Sequence, residues 1–138
     1  MGFKAGNKAK VTLGTDTVVG MGNWKFSGIT VDQLESTAFG DTAKQFMTGL
    51  LDYGQVTFGG LYDPADTTGQ NVLMSAQLNN SKIATVRLYV DNTSYWVANV
   101  TADSDAGAYI TSCNIGMDKS GLGTIDFTLK CTGAWTLV

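Results

Sequence analysis

Side chains able to do chemistry are few and scattered in this 138-residue chain, and histidine is absent. That removes the usual general base for a serine or cysteine nucleophile and the commonest zinc ligand. Two cysteines, Cys113 and Cys131, are too few for a structural zinc site. Carboxylates occur in two close pairs, Asp103 with Asp105 and Asp63 with Asp66, but neither has the spacing of a calcium loop, so both read as solvated turns. The glycines of residues 20–24 have no helix after them to supply the amide-rich end that binds phosphate, and they read as turn residues. Trp24, Trp96, Tyr53, Tyr62, Tyr89 and Tyr95 have the rings for a sugar-stacking platform, although core and interface roles fit them better. The inventory predicts no enzyme, no metal and no cofactor.

The elements that hold these residues are mostly strands. Ala84, Val86, Leu88 and Val90 alternate with polar residues, residues 91–94 make a turn, and Trp96, Ala98 and Val100 run back. Residues 102–107 form an acidic loop. Tyr109, Thr111, Cys113, Ile115 and Met117 then fall on one face of a strand, and Ile125, Phe127, Leu129 and Cys131 on one face of the next, with Thr124, Asp126, Thr128, Lys130 and Thr132 opposite. Such alternation means one buried and one wet face. Pairing the apolar faces sets Met117 opposite Ile125, Ile115 opposite Phe127 and Cys113 opposite Leu129. Cys131 is then diagonal to Cys113 at about 7–8 Å, long for a disulfide, and two reduced thiols are expected. Gly133 allows a bend before Trp135 and Leu137.

Earlier in the chain, residues 1–20 read as an N-terminal arm or edge strand around the apolar patch 11–13, and residues 1–10 are expected to order only on assembly. Residues 21–31 read as one strand with Trp24, Phe26 and Gly28 on a face. After a turn at Pro64, Thr67 and Gln70 have capping-box spacing, and residues 68–80 read as a helix with Val72, Leu73, Ala76 and Gln77 near one face, ended by Asn79 or Asn80. The sum is a single mainly β domain over 1–138, an antiparallel β-sandwich or open barrel with one principal α-helix and a short helical turn.

That helical turn is expected inside residues 36–52. Asp41 has the chemistry of an N-cap, Ala43, Phe46, Met47 and Leu50 share a helical face, and Gly49 would stop it after about two turns. So short a helix cannot stand alone in water, so it must dock on its own sheet or on a neighbour. From Tyr53 the period becomes two, with Gly54, Val56, Phe58 and Gly60 on one face of a strand.

Nine basic and twelve acidic residues give a net charge of −3 with no Lys/Arg cluster, which disfavours nucleic-acid binding by phosphate neutralisation. No apolar run approaches the ~20 residues that cross a bilayer. The N-terminus has no apolar segment of the signal-peptide kind, and a reducing cytosol is the expected site of synthesis.

Most of the chain, from the N-terminal arm through the helix at 69–78 to the closing hairpins, resembles the major tail tube proteins of long-tailed bacteriophages, and residues 36–64 carry the specific part. The shared pattern is T-x-F-x-D-x-x-K followed by G-L-x-D-x-G-x-V-x-F-x-G-x-x-D-P, carried here by Thr37, Phe39, Asp41, Lys44, Gly49, Leu50, Asp52, Gly54, Val56, Phe58, Gly60, Asp63 and Pro64, with Phe46 between the two parts. The resemblance implies a structural virion protein, made in the host cytoplasm and located in the tail. Its partners would be itself, in stacked hexameric rings, and other tail proteins such as tape measure and terminator. DNA would pass through the lumen without sequence-specific binding, and no membrane is involved. In that setting residues 36–52 are expected to form an assembly loop, with Phe39 and Phe46 as apolar anchors and Asp41 and Lys44 as polar partners. Other expectations are a minor tail or head component, such as a terminator or decoration protein, and a carbohydrate- or receptor-binding β-sandwich.

Overall fold

The structure, a computed structural model, describes Gly6 and residues 9–138. The arm expected over residues 1–10 therefore lies largely outside the described residues. In chain order the elements are β1 (Lys10–Leu13), β2 (Asp16–Thr17), β3 (Met21–Ser27), β4 (Thr30–Glu35), β5 (Phe46–Asp52), β6 (Gln55–Leu61), α1 (Gln70–Leu78), β7 (Val86–Tyr89), β8 (Tyr95–Ala98), β9 (Gly107–Gly116), β10 (Thr124–Thr132) and β11 (Trp135–Leu137). They make a five-stranded sheet in the order β11-β8-β7-β1-β2, a four-stranded sheet in the order β3-β6-β10-β9, and a separate two-stranded hairpin of β4 and β5. All strand pairs are antiparallel.

One-sided burial explains the two larger sheets. Along β10, Ile125, Phe127, Leu129 and Cys131 are buried, while Thr124, Asp126 and Lys130 are exposed. β6 contributes Val56 and Phe58, and Phe58 lies directly opposite Phe127 with ring centroids 5.5 Å apart. The facing sheet contributes Val11, Leu13, Val86, Leu88, Ala98 and Trp135 to the same core. Phe26 stands between Trp96 and Trp135, meeting both edge-on at 5.6 and 5.5 Å, the arrangement that ring quadrupoles favour. Four of the six rings of the sugar-platform alternative, Trp24, Trp96, Tyr53 and Tyr62, are taken up in packing against the core. Trp24 Nε1 also donates to the Tyr89 carbonyl at 3.0 Å.

Helix α1 is shorter than the expected 68–80 and is held differently at its start. Leu73 and Ala76 are buried as expected, but Val72 is exposed. Asn80, at φ +53, follows the last turn. Thr67 makes no capping box. Instead Asp66 Oδ2 accepts the Gln70 amide at 3.0 Å and the Val19 amide at 2.9 Å. The Gln70 side chain, fully buried, accepts from the Asp63 amide (2.9 Å) through Oε1 and donates through Nε2 to the carbonyls of Val19 (2.6 Å) and Leu61 (2.9 Å). One amide side chain thus ties two stretches of backbone, at Val19 and at Leu61–Asp63, to the helix.

Three further expectations need correction. The patch at 11–13 is no edge strand, because β1 is hydrogen-bonded on both sides, by β2 and by β7. The run 21–31 is two strands, broken at Gly28, whose φ of +78° a residue with a side chain rarely adopts. In β9 a bulge pairs Leu129 with Ile110 but Thr128 with Ser112, leaving Thr111 unmatched. That extra residue turns Tyr109 outward and Ala108 and Ile110 inward, so the face expected from Tyr109 to Met117 holds only at Cys113 and Ile115.

The β9–β10 register is also slipped by two residues from the expected one: Ile115 faces Ile125, Cys113 faces Phe127 and Cys131 faces Ala108. A slip of two leaves every side chain on its face, so alternation alone does not detect it. Both thiols are free, as expected. Burial pushes the Cys131 thiol up to about 12 and raises that of Cys113, to which the Asp126 carboxylate adds. Since the thiolate is the nucleophile, alkylation of Cys131 by iodoacetamide at pH 8 should be slowed on the order of a thousandfold by folding. Peptide mass spectrometry before and after denaturation measures this, and comparable rates in the two states would contradict the packing described.

Candidate functional site

Strands β4 and β5 form a ribbon that adds little to the core. Every residue from Thr30 to Asp52 is exposed except Gly49, which is half-buried. Thr30 pairs with Asp52, Val31 with Leu51, Gln33 with Thr48, Leu34 with Met47 and Glu35 with Phe46. Successive pairs point to opposite faces. Leu34 and Met47 therefore lie on one face and Phe46 on the other, and all three are more than half exposed, at 51%, 56% and 53%. Leu50, at 84%, and Phe39, fully exposed at the tip, extend the apolar surface. A two-stranded hairpin is marginal in water by itself. One with apolar side chains on both faces calls for cover from another molecule.

This corrects the expected helical turn. Residues 46–52 find backbone hydrogen bonds in β4, which a two-turn helix could not match. Gly49 stops no helix: it lies at a bulge, where a Cβ would come within 3.0 Å of the Asp32 Cβ. Asp41 caps a turn instead of a helix, with Oδ2 accepting the Ala38 amide at 2.7 Å while the Asp41 amide donates to the Ala38 carbonyl at 3.2 Å. Thr37 closes the loop, accepting the Gln45 amide at 2.9 Å and donating to Glu35 Oε1 at 3.2 Å.

Of the four candidate residues, Phe39, Asp41 and Lys44 lie together in the tip and Phe46 begins β5 beside it. Sequence reasoning missed Val31, which was merged into the strand read over 21–31, and Leu34, which was placed in no strand. It also missed an ion pair at the hairpin's base, Lys130 Nζ to Asp52 Oδ1 at 2.8 Å. Seventy-eight residues separate the two, and no local pattern announces them. The lysine, then the Gly54 amide, hold the Asp52 carboxyl below its ordinary value. The pair is therefore complete above the usual carboxylate range and is lost only as pH falls through that lowered value.

The wet face of the four-stranded sheet differs in kind. A shallow open depression of about 650 Å³ crosses it, lined by backbone and small polar groups including Asn23, Thr57, Gly59, Asp126 and Thr128. Asn114 Nδ2 donates to Asp126 Oδ1 at 2.9 Å beside it. Among the described residues no group of three or more Cys, Asp or Glu side chains converges on a possible metal position.

No family model matches this chain, and no curated protein matches it. Solved structures do. A chain in the tail of an empty gene transfer agent particle, determined with C6 symmetry, superposes with a TM-score of 0.75 over 99% of both chains at 12% identity. A chain in the tube-terminating cap of the anti-feeding prophage gives 0.69 at 16% identity, covering 100% of this chain and 92% of that one. A chain in the extended sheath-tube complex of the extracellular contractile injection system PVC gives 0.67 at 13% identity over 99% and 92%. At such identities the likeness establishes a common fold.

Proposed function

We propose that this chain is the subunit of a phage-like tail tube, assembling as stacked rings of six into a hollow conduit within the virion tail, with no catalytic step of its own. One observation carries this reading: a chain that matches, over nearly its whole length, a component of a C6-symmetric tail leaves its 30–52 hairpin bare on both faces. Closed rings give such a surface a partner without leaving a free edge for aggregation. Phe39 and Phe46 serve as apolar anchors on a neighbouring subunit and Lys44 as a polar partner. Asp41 acts chiefly by holding the tip in shape, since its carboxylate is already engaged there.

The conduit role suits the polar face of the four-stranded sheet. Small neutral side chains with few charges neither grip nor strongly repel phosphate, and a net charge of −3 adds no attraction. Tape measure and terminator proteins are the further partners this reading requires. The likeness to a tube-terminating cap supports a second reading, a terminator that forms one ring only.

Negative-stain electron microscopy of the concentrated protein separates the two. Long hollow tubes with sixfold end views are expected. Single rings that never lengthen would favour the terminator, and a species that stays monomeric at every concentration would end both readings.

A further inference from the structure

The hairpin is a continuation of the β3/β6 ribbon across a break. Pairing stops at Ser27 with Gln55 and resumes at Thr30 with Asp52, leaving two residues unpaired on each strand. Each of those linkers contains a left-handed glycine, Gly28 at φ +78° and Gly54 at φ +74°. The two lie against each other: a Cβ on Gly28 would be 3.6 Å from the Gly54 Cα, and one on Gly54 would run into the Ser27 carbonyl. Gly54 belongs to the body, since its carbonyl accepts the Cys131 amide at 3.0 Å. Asp52 belongs to the hairpin as the last residue of β5.

One side chain spans the break. Lys130, on β10, donates from Nζ to Asp52 Oδ1 at 2.8 Å and to the Gly54 carbonyl at 3.2 Å, and the same Asp52 oxygen accepts the Gly54 amide at 2.8 Å. We propose that Lys130 is a positioning residue, which fixes the angle at which the 30–52 hairpin leaves the body by clamping it across the Gly28/Gly54 break. The importance of that angle for assembly rests on the tube reading above, but the clamp itself is a property of the free subunit. Glycine torsions resist bending weakly. An exposed ion pair adds little to global stability, yet beside such torsions it joins the core-packed Tyr53 in the same linker in deciding which angle is populated. A hairpin that samples many angles meets its neighbour in the right one less often, and assembly requires more protein.

The test places spin labels on Thr42→Cys at the hairpin tip and Asn92→Cys in the β7–β8 turn, in a Cys113→Ser background. Pulsed electron paramagnetic resonance then reads the tip-to-body distance in the unassembled chain. A single narrow distribution is expected for the parent and for Lys130→Arg, which keeps the donors, and a broad one for Lys130→Met, which keeps only the aliphatic stem. Without labels, Lys130→Met should raise the protein concentration for half assembly about fivefold while leaving the urea midpoint unchanged. A narrow distribution in Lys130→Met overturns the proposal. So does a broad one accompanied by a clear loss of global stability, which would make Lys130 a support of the fold. If even the parent forms no tubes, the functional reading falls while the distance measurement still decides on the clamp.

Discussion

Replacing Phe39 and Phe46 together by serine should leave a monomer as stable as the parent and raise the concentration needed for half assembly by about a thousandfold. Phe39 is fully exposed and Phe46 more than half exposed, so the isolated subunit has little packing to lose at either position. A tube that covers both rings gains about 2 kcal/mol for each, and roughly 4 kcal/mol per subunit contact corresponds to that factor. Pelleting and electron microscopy measure assembly, and thermal unfolding followed by circular dichroism measures the monomer. If the rings served only to pack the hairpin within its own subunit, unfolding would shift to lower temperature and tube formation by the remaining folded protein would be unimpaired. Tubes at the parent concentration would remove both phenylalanines from the interface.

Gln70→Leu should be among the most damaging single changes in the subunit body, lowering the free energy of unfolding by about 4 kcal/mol. Leucine fills a similar volume but leaves the Val19 and Leu61 carbonyls and the Asp63 amide, all bonded to Gln70, without that partner. Each buried backbone group left unpaired costs about 1–3 kcal/mol. Against a typical domain stability of about 5–15 kcal/mol, this is a large fraction. Urea unfolding measures it directly. A loss within about 1 kcal/mol would mean that water or a shifted backbone replaces the side chain.

These two predictions fall on opposite sides of what could be read beforehand. β10, the β7–β8 hairpin and α1 were legible because each buries one face, and one-sided burial writes its period into the sequence: Ile125, Phe127 and Leu129 at every second position, Leu73 and Ala76 at helical spacing. The 30–52 hairpin was misread because the isolated chain buries neither face. Its apolar residues then follow no strand alternation, and Ala43, Phe46, Met47 and Leu50 happen to fit a helix. The absence of alternation that hid the strand is what an interface on both faces leaves in a sequence. Phe39, Asp41 and Lys44 could still be named as candidates, since the pattern through them does not depend on secondary structure. Gln70 was noticed for the wrong reason, as a partner of Thr67. Its true partners lie as far as 51 residues away, as invisible to a local pattern as the pairing of β1 with β7.

That last pairing fixes an order of events during synthesis. The hairpin needs only residues 30–52 and can close soon after they leave the ribosome, since local contacts form early and distant ones late. Strand β1 must wait for Val86–Tyr89, and β10 and β11 are made later still. For much of its translation each chain therefore displays an exposed, marginally stable apolar ribbon on an unfinished body, beside a nascent strand whose partner has not been made. Crowded ribosomes translating one message would hold several such ribbons close together, the circumstance in which transiently exposed apolar surface aggregates and chaperones are needed.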